Sequence, residues 1–437
     1  MMPVQSSASR PFSPDNLQNS SELTLNGSIY KIRDMGSFAF IILRTARYLV
    51  QCVFDPQKCD ADLNTLVENS SIKVSGSIVL DKRAENGFEL HLNYITVLSS
   101  PYAQMPISIN KKGLNISLET NLENRPYILR NHKQRAVFKL QEGIVSGFRN
   151  YMLANGFTEI HSPKIVESGA EGGANIFKLD YFGEKAYLAQ SPQFYKQTMV
   201  GVFDRVFEIA PVYRAEKHNT SRHLNEYIGL DFEMAYIDDM YDVMAMETGM
   251  LRAVMEELKA NYSQELKLLN VDLPEIDFIP ALTFMEAKGI LKESGRKIKN
   301  YYDFEPDEEL AVSEFIKKEY NSEFVFITHF PSSKRPFYAM DDKVDPDYAL
   351  SFDLFFRGLE VTTGGQRVHD YTEQVQKMTD KGLDPAEFES YLMIHKYGMP
   401  PHGGLGIGLE RLLMRLLNQQ NVREASLFPR DLSRLSP

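Results

Sequence analysis

The stretch RAEKHNTSRHLNE, Arg214 to Glu226, constrains this chain most. Apolar sequence flanks it, VFEIAPVY before and YIGLDFEMAY after, so two β-segments joined by a polar bend are predicted. A bend charged only at its tip would be a solvated hairpin end. Here Arg214 and Glu216 sit at the base, where the strand's two-residue period puts them on one face. The returning strand carries Asp231 and Glu233. Arginine offers a planar fork suited to phosphate, and a charge mounted on a sheet is held in place. The pattern predicts positioned charges on a β-hairpin.

The chain has 437 residues, enough for two or three domains. From Leu23 to Leu98 short alternating segments recur: LTLNGSIYKI, FAFIILR, YLVQCVF, IKVSGSIVL and GFELHLNYITVL, separated by Gly, Asn and Asp turns. That spacing predicts a small five-stranded barrel over residues 21–100, with a short helix between Pro56 and Asn69, the oligonucleotide/oligosaccharide-binding (OB) arrangement. Residues 101–130, with Pro101, Pro106 and Pro126, read as a linker. Residues 131–437 form the second domain. It opens on an amphipathic helix with Val137, Leu140, Ile144, Phe148 and Met152 on one face, stopped at Gly156. TEIHSPKIV, KAYLAQSP, RVFEIAPVYR and YIGLDFEMAY follow as strands, then a long helix over Met240 to Leu266. FDLFFRGLEVTTGGQR reads as further strand sequence, and GGLGIGLERLLMRLL as a Gly-rich turn entering a helix near Leu409. Strands outnumber long helices, so the fold class expected is α+β, an antiparallel sheet flanked by helices beside the barrel.

A formal net charge of -11 argues against bulk coating of nucleic acid, while local basic patches stay compatible with a structured RNA. Cys52 and Cys59 match no zinc spacing and read as reduced packing residues, which suits a cytoplasmic protein. No apolar run approaches the ~18 residues of a membrane span, so no membrane partner is expected. Residues 1–20, rich in Ser, Pro and Asn, lack a secretory apolar core and read as a disordered tail.

Three motifs carry a family resemblance. YRAE…RHLNEYIGLDFEMA resembles the second signature of class II aminoacyl-tRNA synthetases, GGLGIGLERLLMRLL the third, and EIHSPKI, with Pro163, the first, which lies at the dimer interface in that class. All three stand in the family's order. AEGGANIF, LAQSPQFYKQ, GGQR, YGMPPHGG and FPRDLSRLSP are further similar to aspartyl-tRNA synthetases of the archaeal/eukaryotic type. The resemblance covers nearly the whole chain from about Ser21.

It implies a two-step reaction: the aspartate α-carboxylate attacks the α-phosphate of ATP, and the adenosine hydroxyl at the end of tRNA then takes the aspartyl group. Such chemistry asks for positioning and charge neutralisation, with no protein nucleophile. By resemblance Arg214 contacts the α-phosphate, Glu216 holds the adenine end, His223 meets the γ-phosphate side and Arg411 lies on the nucleotide from the opposite side. Arg214, Arg411 and Glu216 are thus the catalytic candidates. Asp353, Glu360 and the Thr363 hydroxyl match Mg2+ ligands, with Thr363 standing where serine is common. Around the amino acid, Lys196 and Arg367 match two cations for the side-chain carboxylate. Gln193 and Asp231 line the same pocket, Thr363 borders it, and Glu171 sits on a closing loop with Gly172 and Gly173. Ala170 there replaces a common hydroxyl residue. In the barrel Phe40 matches an aromatic that stacks on an anticodon base, Gln51 a base-edge reader, and Arg33 reaches the same bases.

The implied partners are L-aspartate, ATP, tRNA and a second copy of the chain, with no DNA. Two tRNA ranges stay open, tRNA-Asp alone or tRNA-Asp with tRNA-Asn, with Tyr30 and the loop Lys82 to Gly87 as candidate determinants. The rivals are an asparagine–tRNA ligase, which has no use for the Lys196–Arg367 pair; a tRNA-independent asparagine synthetase, which would dispense with the barrel; and an RNA-binding protein with a dead catalytic domain, which would have lost Arg214, Glu360 or Arg411.

Overall fold

A computed structural model describes residue 14 and residues 17–84, 86–111, 113–167, 169, 175–217 and 220–436. Most of the expected tail therefore lies outside the described residues, as do Ala170, Glu171, Gly172, Gly173 and His218. The chain divides into two compact units, 1–114 and 115–437.

The first unit is a closed barrel of β1 (Glu22–Asp34), β2 (Ala39–Arg44), β3 (Leu49–Phe54), β4 (Ser71–Leu80) and β5 (Phe88–Ser99), ordered β1-β2-β3-β5-β4. Alternation decides its inside. Ile29, Ala39, Ile41, Leu43, Val50, Cys52, Ile72, Val74 and Leu90 are fully buried and form its core. Both cysteines are free and buried, as expected. The helix expected between Pro56 and Asn69 is a single 3-10 turn, Leu63–Thr65, capped by Asp62. That segment lacks the apolar periodicity that would bury a helix face.

The expected linker, 101–130, is split between the units. Its second half carries two short helices, Leu118–Glu123 and Arg125–Ile128. Arg125 is buried and donates to the carbonyls of Glu424, Ser426 and Leu427 at 3.2, 2.6 and 3.0 Å. The guanidinium thereby anchors this segment to the C-terminal part of the second unit.

The second unit holds β6 (Thr158–Glu159), β7 (Ile165–Val166), β8 (Lys178–Tyr181), β9 (Glu184–Leu188), β10 (Arg205–Tyr213), β11 (Glu226–Ala235), β12 (Ala281–Thr283), β13 (Phe324–Thr328), β14 (Ser351–Phe356), β15 (Glu360–Gln366) and β16 (His402–Gly408). Eight of these form one sheet, ordered β12-β13-β14-β15-β16-β11-β10-β6. Its centre is antiparallel, and β12 and β6 add parallel at the two edges. The helices His132–Ala154 and Met240–Asn261 pack on it through Leu140, Ile144, Phe148, Met250, Leu251 and Val254, against Phe207, Phe232 and Leu405. The apolar face read from the first helix is thus its buried face.

The expected Gly-rich turn is a correction. It is strand β16, paired with β11 and β15, and the helix Leu409–Leu416 follows directly. The reason is room. A Cβ on Gly404 would lie 2.2 Å from both Glu233 Oε2 and the Phe232 carbonyl, so only glycine lets the sheet close over a buried carboxylate. No helix among the described residues is long and apolar enough to cross a membrane.

Candidate active site

A cleft of about 320 Å³ opens on the sheet where β10, β11, β15 and β16 run side by side. Gln193, Lys196, Arg214, Glu216, His223 and Asp231 line it, as do Glu360, Thr363, Arg367 and Arg411. Residues chosen from segments far apart in sequence thus meet in one place.

The polar bend is stapled at its base. Arg214 N donates to Asn225 O at 2.9 Å, and Asn225 Nδ2 donates to the carbonyls of Arg214 and Glu216 at 2.7 and 3.1 Å. Arg214 and Glu216 therefore leave a fixed backbone, as their strand-end positions suggested. His223 Nε2 lies 3.7 Å from Glu216 Oε2, and its Nδ1 is 2.6 Å from Thr220 Oγ1. Burial, and then the Arg411 charge, hold the His223 imidazole below its ordinary pKa, so it faces the cleft largely neutral at pH 7. Arg411 Nη1 lies 3.6 Å from Glu360 Oε1.

The amino-acid end is a lattice of buried charge. Lys196 Nζ donates to Asp231 Oδ1 at 3.0 Å and to the Leu405 carbonyl at 2.8 Å, and stands 3.3 Å from Glu233 Oε2. Arg367 Nε donates to Glu233 Oε1 at 2.8 Å, and its Nη2 to the Gly404 carbonyl at 2.8 Å. Burial pushes the Glu233 carboxyl up, but Arg367 and Lys196 outweigh it and hold it below the usual range. For Asp231 burial wins over Lys196, and its pKa is raised. Two donors remain available to a ligand. Arg367 Nη1 makes no hydrogen bond among the described residues, and Gln193 Nε2 is buried without a partner there.

Asp353, Glu360 and Thr363 converge. Asp353 and Thr363 are directly opposed between β14 and β15, and Thr363 Oγ1 donates to Glu360 Oε1 at 3.1 Å. Asp353 itself is withdrawn from the cleft wall. Its Oδ2 accepts from Arg335 Nη2 at 2.9 Å, while Oδ1 is buried with no hydrogen bond assigned among the described residues. Burial raises Asp353 to about 7, with Arg335 pulling it down and Glu360 pushing it up. No group of three or more His, Cys, Asp or Glu side chains among the described residues could hold a metal ion; the third oxygen in this trio is a hydroxyl.

Beneath the sheet, Glu247 accepts from Thr362 Oγ1 at 2.6 Å, and burial raises its carboxyl from 4.5 to about 8. The folded chain keeps a proton that the unfolded chain releases. Its stabilising contribution is complete below pH ~4.5 and is lost as pH rises toward 8. A Glu247→Gln variant should flatten this loss and gain most over the parent at pH ~8. Urea midpoints at pH ~5 and ~8 that shift equally in both proteins would show that Glu247 does not titrate.

On the barrel, Arg33 and Phe40 are opposed between β1 and β2, and Gln51 opposes Ile42 between β2 and β3. All three side chains point away from the core formed by Ala39, Ile41 and Leu43. Phe40 is half-buried with Phe38 at a 5.2 Å centroid distance, edge to face. Gln51 Nε2 donates to Glu89 Oε1 at 2.7 Å. Tyr30 is buried and donates to the Ile109 carbonyl at 2.7 Å.

The sequence put Glu233 beside Asp231 on the returning strand but gave it no role; it bridges the two cations. Arg335, Arg222 and Glu309 carried no signal, because their partners lie 18, 87 and 51 positions away.

Residues 117–432 match the model of "tRNA synthetases class II (D, K and N)", and residues 23–98 the "OB-fold nucleic acid binding domain". The aspartate–tRNA(Asp/Asn) ligase of Deinococcus radiodurans is 44% identical over 94% of this chain and 95% of that protein. The aspartate–tRNA(Asp) ligase of Thermococcus kodakarensis is 37% identical over 96% of this chain and 97% of its own. Among solved structures, the asparaginyl-tRNA synthetase from Pyrococcus horikoshii complexed with asparaginyl-adenylate superposes with a TM-score of 0.89 at 30% identity, covering 96% of this chain and 97% of that one. A nucleic-acid-binding barrel, a charged cleft on an antiparallel sheet and these matches agree: the chain belongs to the class II tRNA synthetases of the D, K and N group.

Proposed function

We propose that this chain is an aspartate–tRNA ligase, which joins aspartate to ATP as aspartyl-adenylate and passes the aspartyl group to tRNA. The observation that carries the choice of amino acid is the donor lining of the cleft. Arg367 Nη1 and Gln193 Nε2 offer protons beside Lys196, and both Lys196 and Arg367 are cations. A carboxylate only accepts, so it satisfies such a lining; a side-chain amide brings donors of its own. Asp231 supplies the negative charge for the α-ammonium. The backbone likeness to an asparaginyl enzyme does not separate the two substrates, whereas 44% identity to an aspartate enzyme and the donor lining favour aspartate.

In this reading Arg214 meets the α-phosphate and stabilises charge developing during attack. Glu216 and His223 bracket the nucleotide, and Arg411 closes it from the β15 side. Asp353, Glu360 and Thr363 suit Mg2+: all donors are hard oxygens, and Asp353 Oδ1 is buried with no hydrogen bond assigned among the described residues. Bound there, the ion would neutralise phosphate charge during adenylation. A homodimer formed through the segment around Pro163 completes the proposal.

The test is charging of tRNA-Asp and tRNA-Asn transcripts with labelled aspartate, ATP and Mg2+. Charging of tRNA-Asp alone would mark a discriminating enzyme, and charging of both would match the range in the Deinococcus relative's name. Charging of neither sinks the proposal. A Phe40→Ala variant should weaken tRNA-Asp binding by about 1–3 kcal/mol in a filter or fluorescence assay, the worth of one stacked base. Unchanged affinity would remove Phe40 from the RNA face.

A further inference from the structure

Two charged residues in and beside the cleft wall have no part in the reaction as read so far: Arg222, in the polar bend, and Glu309, on the helix Pro306–Tyr320. The Arg222 Nη2 group donates to Glu309 Oε2. That same oxygen accepts the backbone N–H of Glu360 at 3.1 Å. From the other side, Arg411 Nη1 donates to the Glu360 carbonyl at 3.1 Å, and Arg411 Nε to the Arg222 carbonyl at 3.3 Å. The four residues close a ring across four elements: the bend, the helix Pro306–Tyr320, strand β15 and the helix Leu409–Leu416.

The ring has an asymmetry that points to its use. Glu360 and Arg411 turn their charged ends to the cleft. Glu309 is buried. Both backbone polar groups of Glu360, N–H and C=O, are gripped by ring members. The direction of its carboxylate is therefore set by Glu309 on one side and Arg411 on the other. We infer that Arg222 and Glu309 are positioning residues for the nucleotide: their link holds the Glu360 carboxylate and the Arg411 guanidinium in register, so that the bend, the cation site and the nucleotide site set together. This rests on the proposed reading of Glu360 and Arg411. Supporting contacts of this kind, when cut, cost 10–100-fold in affinity of the group they orient.

The test uses the full chain and reads binding directly. Calorimetry measures ATP affinity over a range of Mg2+ concentrations, and aspartate affinity separately, for the parent, Glu309→Gln, Arg222→Gln, Arg222→Lys and the double variant R222Q/E309Q. Each single Gln variant should weaken Mg2+-dependent ATP binding about tenfold. Aspartate affinity should stay within about twofold. The double variant should be no weaker than either single, because either change opens the same link. Arg222→Lys should recover part of the loss. ATP affinity unchanged in both single variants, parallel losses for aspartate and ATP, or effects that multiply in the double would each overturn the inference. If Glu309→Gln fails to fold, the Arg222→Lys and Arg222→Gln pair still decides, by whether the retained charge restores ATP affinity. A parent that binds ATP but charges no tRNA removes the proposed function and leaves the ring testable; a parent that binds no ATP removes both.

Discussion

An Arg214→Ala variant exchanges pyrophosphate into ATP about 10²–10³-fold more slowly than the parent, with little change in thermal midpoint. The size follows from the role proposed for the side chain, a donor aimed at charge that develops during attack on phosphorus. The stability follows from the backbone. Asn225 holds the main chain of Arg214 and Glu216 through three hydrogen bonds, none of which involves the guanidinium, so alanine leaves the base of the bend intact. Exchange kinetics and a melting curve on the same preparation separate the two quantities. A variant that exchanges within about threefold of the parent would take the phosphate away from Arg214. A melt that collapses along with the rate would make the residue structural.

The second large effect concerns Arg367. Arg367→Leu should destabilise the fold by about 3–5 kcal/mol near neutral pH and abolish aspartate binding, because it leaves a buried carboxylate short of a cation. Glu233 is fully buried, with Arg367 at 2.8 Å on one side and Lys196 at 3.3 Å on the other. In the parent, Glu233 is held below its ordinary pKa, so its contribution is present above the unfolded value and fades as the medium turns acid. Without Arg367 the sign reverses. Burial dominates, the carboxyl rises, and the variant loses stability as pH increases because folding then requires an unpaired charge or an uptaken proton. Urea unfolding at pH ~5 and ~8 checks this, the variant's deficit being larger at the higher pH. A deficit below about 1 kcal/mol at both values would show that the lattice does not depend on Arg367.

What was legible in the sequence divides by range. The barrel strands were readable because each alternates, and alternation is decided by one wall of core: Ala39, Ile41 and Leu43 go in, and Phe40 and Ile42 go out. Arg33, Phe40 and Gln51 were named by the resemblance alone, and the same alternation puts them on one outer face. The long helix beginning at His132 was readable from its apolar stripe. The family resemblance carried Arg214, Glu216, His223, Glu360, Lys196, Arg367 and Arg411, and the structure gathers all of them around one cleft. The Gly-rich segment misled, because glycines signal turns locally, and only the Glu233 side chain, brought across by β11, explains why β16 needs them. Residues 267–330 were hardest to read. They hold the short edge strand β12, two helices and β13, whose pairing to β14 fixes them. Glu309 sits there in an acidic run at a helix start, which by itself reads as a response to the helix dipole. Its contacts with Arg222 and Glu360 exist only once the sheet has assembled.

The central claim, that the buried cations and donors select aspartate, is tested most directly by amino-acid-dependent pyrophosphate exchange with aspartate and asparagine in parallel. The account predicts robust exchange with aspartate and kcat/KM for asparagine lower by about 10⁴-fold, since the amide cannot satisfy donors built for a carboxylate. Exchange with asparagine equal to or faster than with aspartate would contradict it.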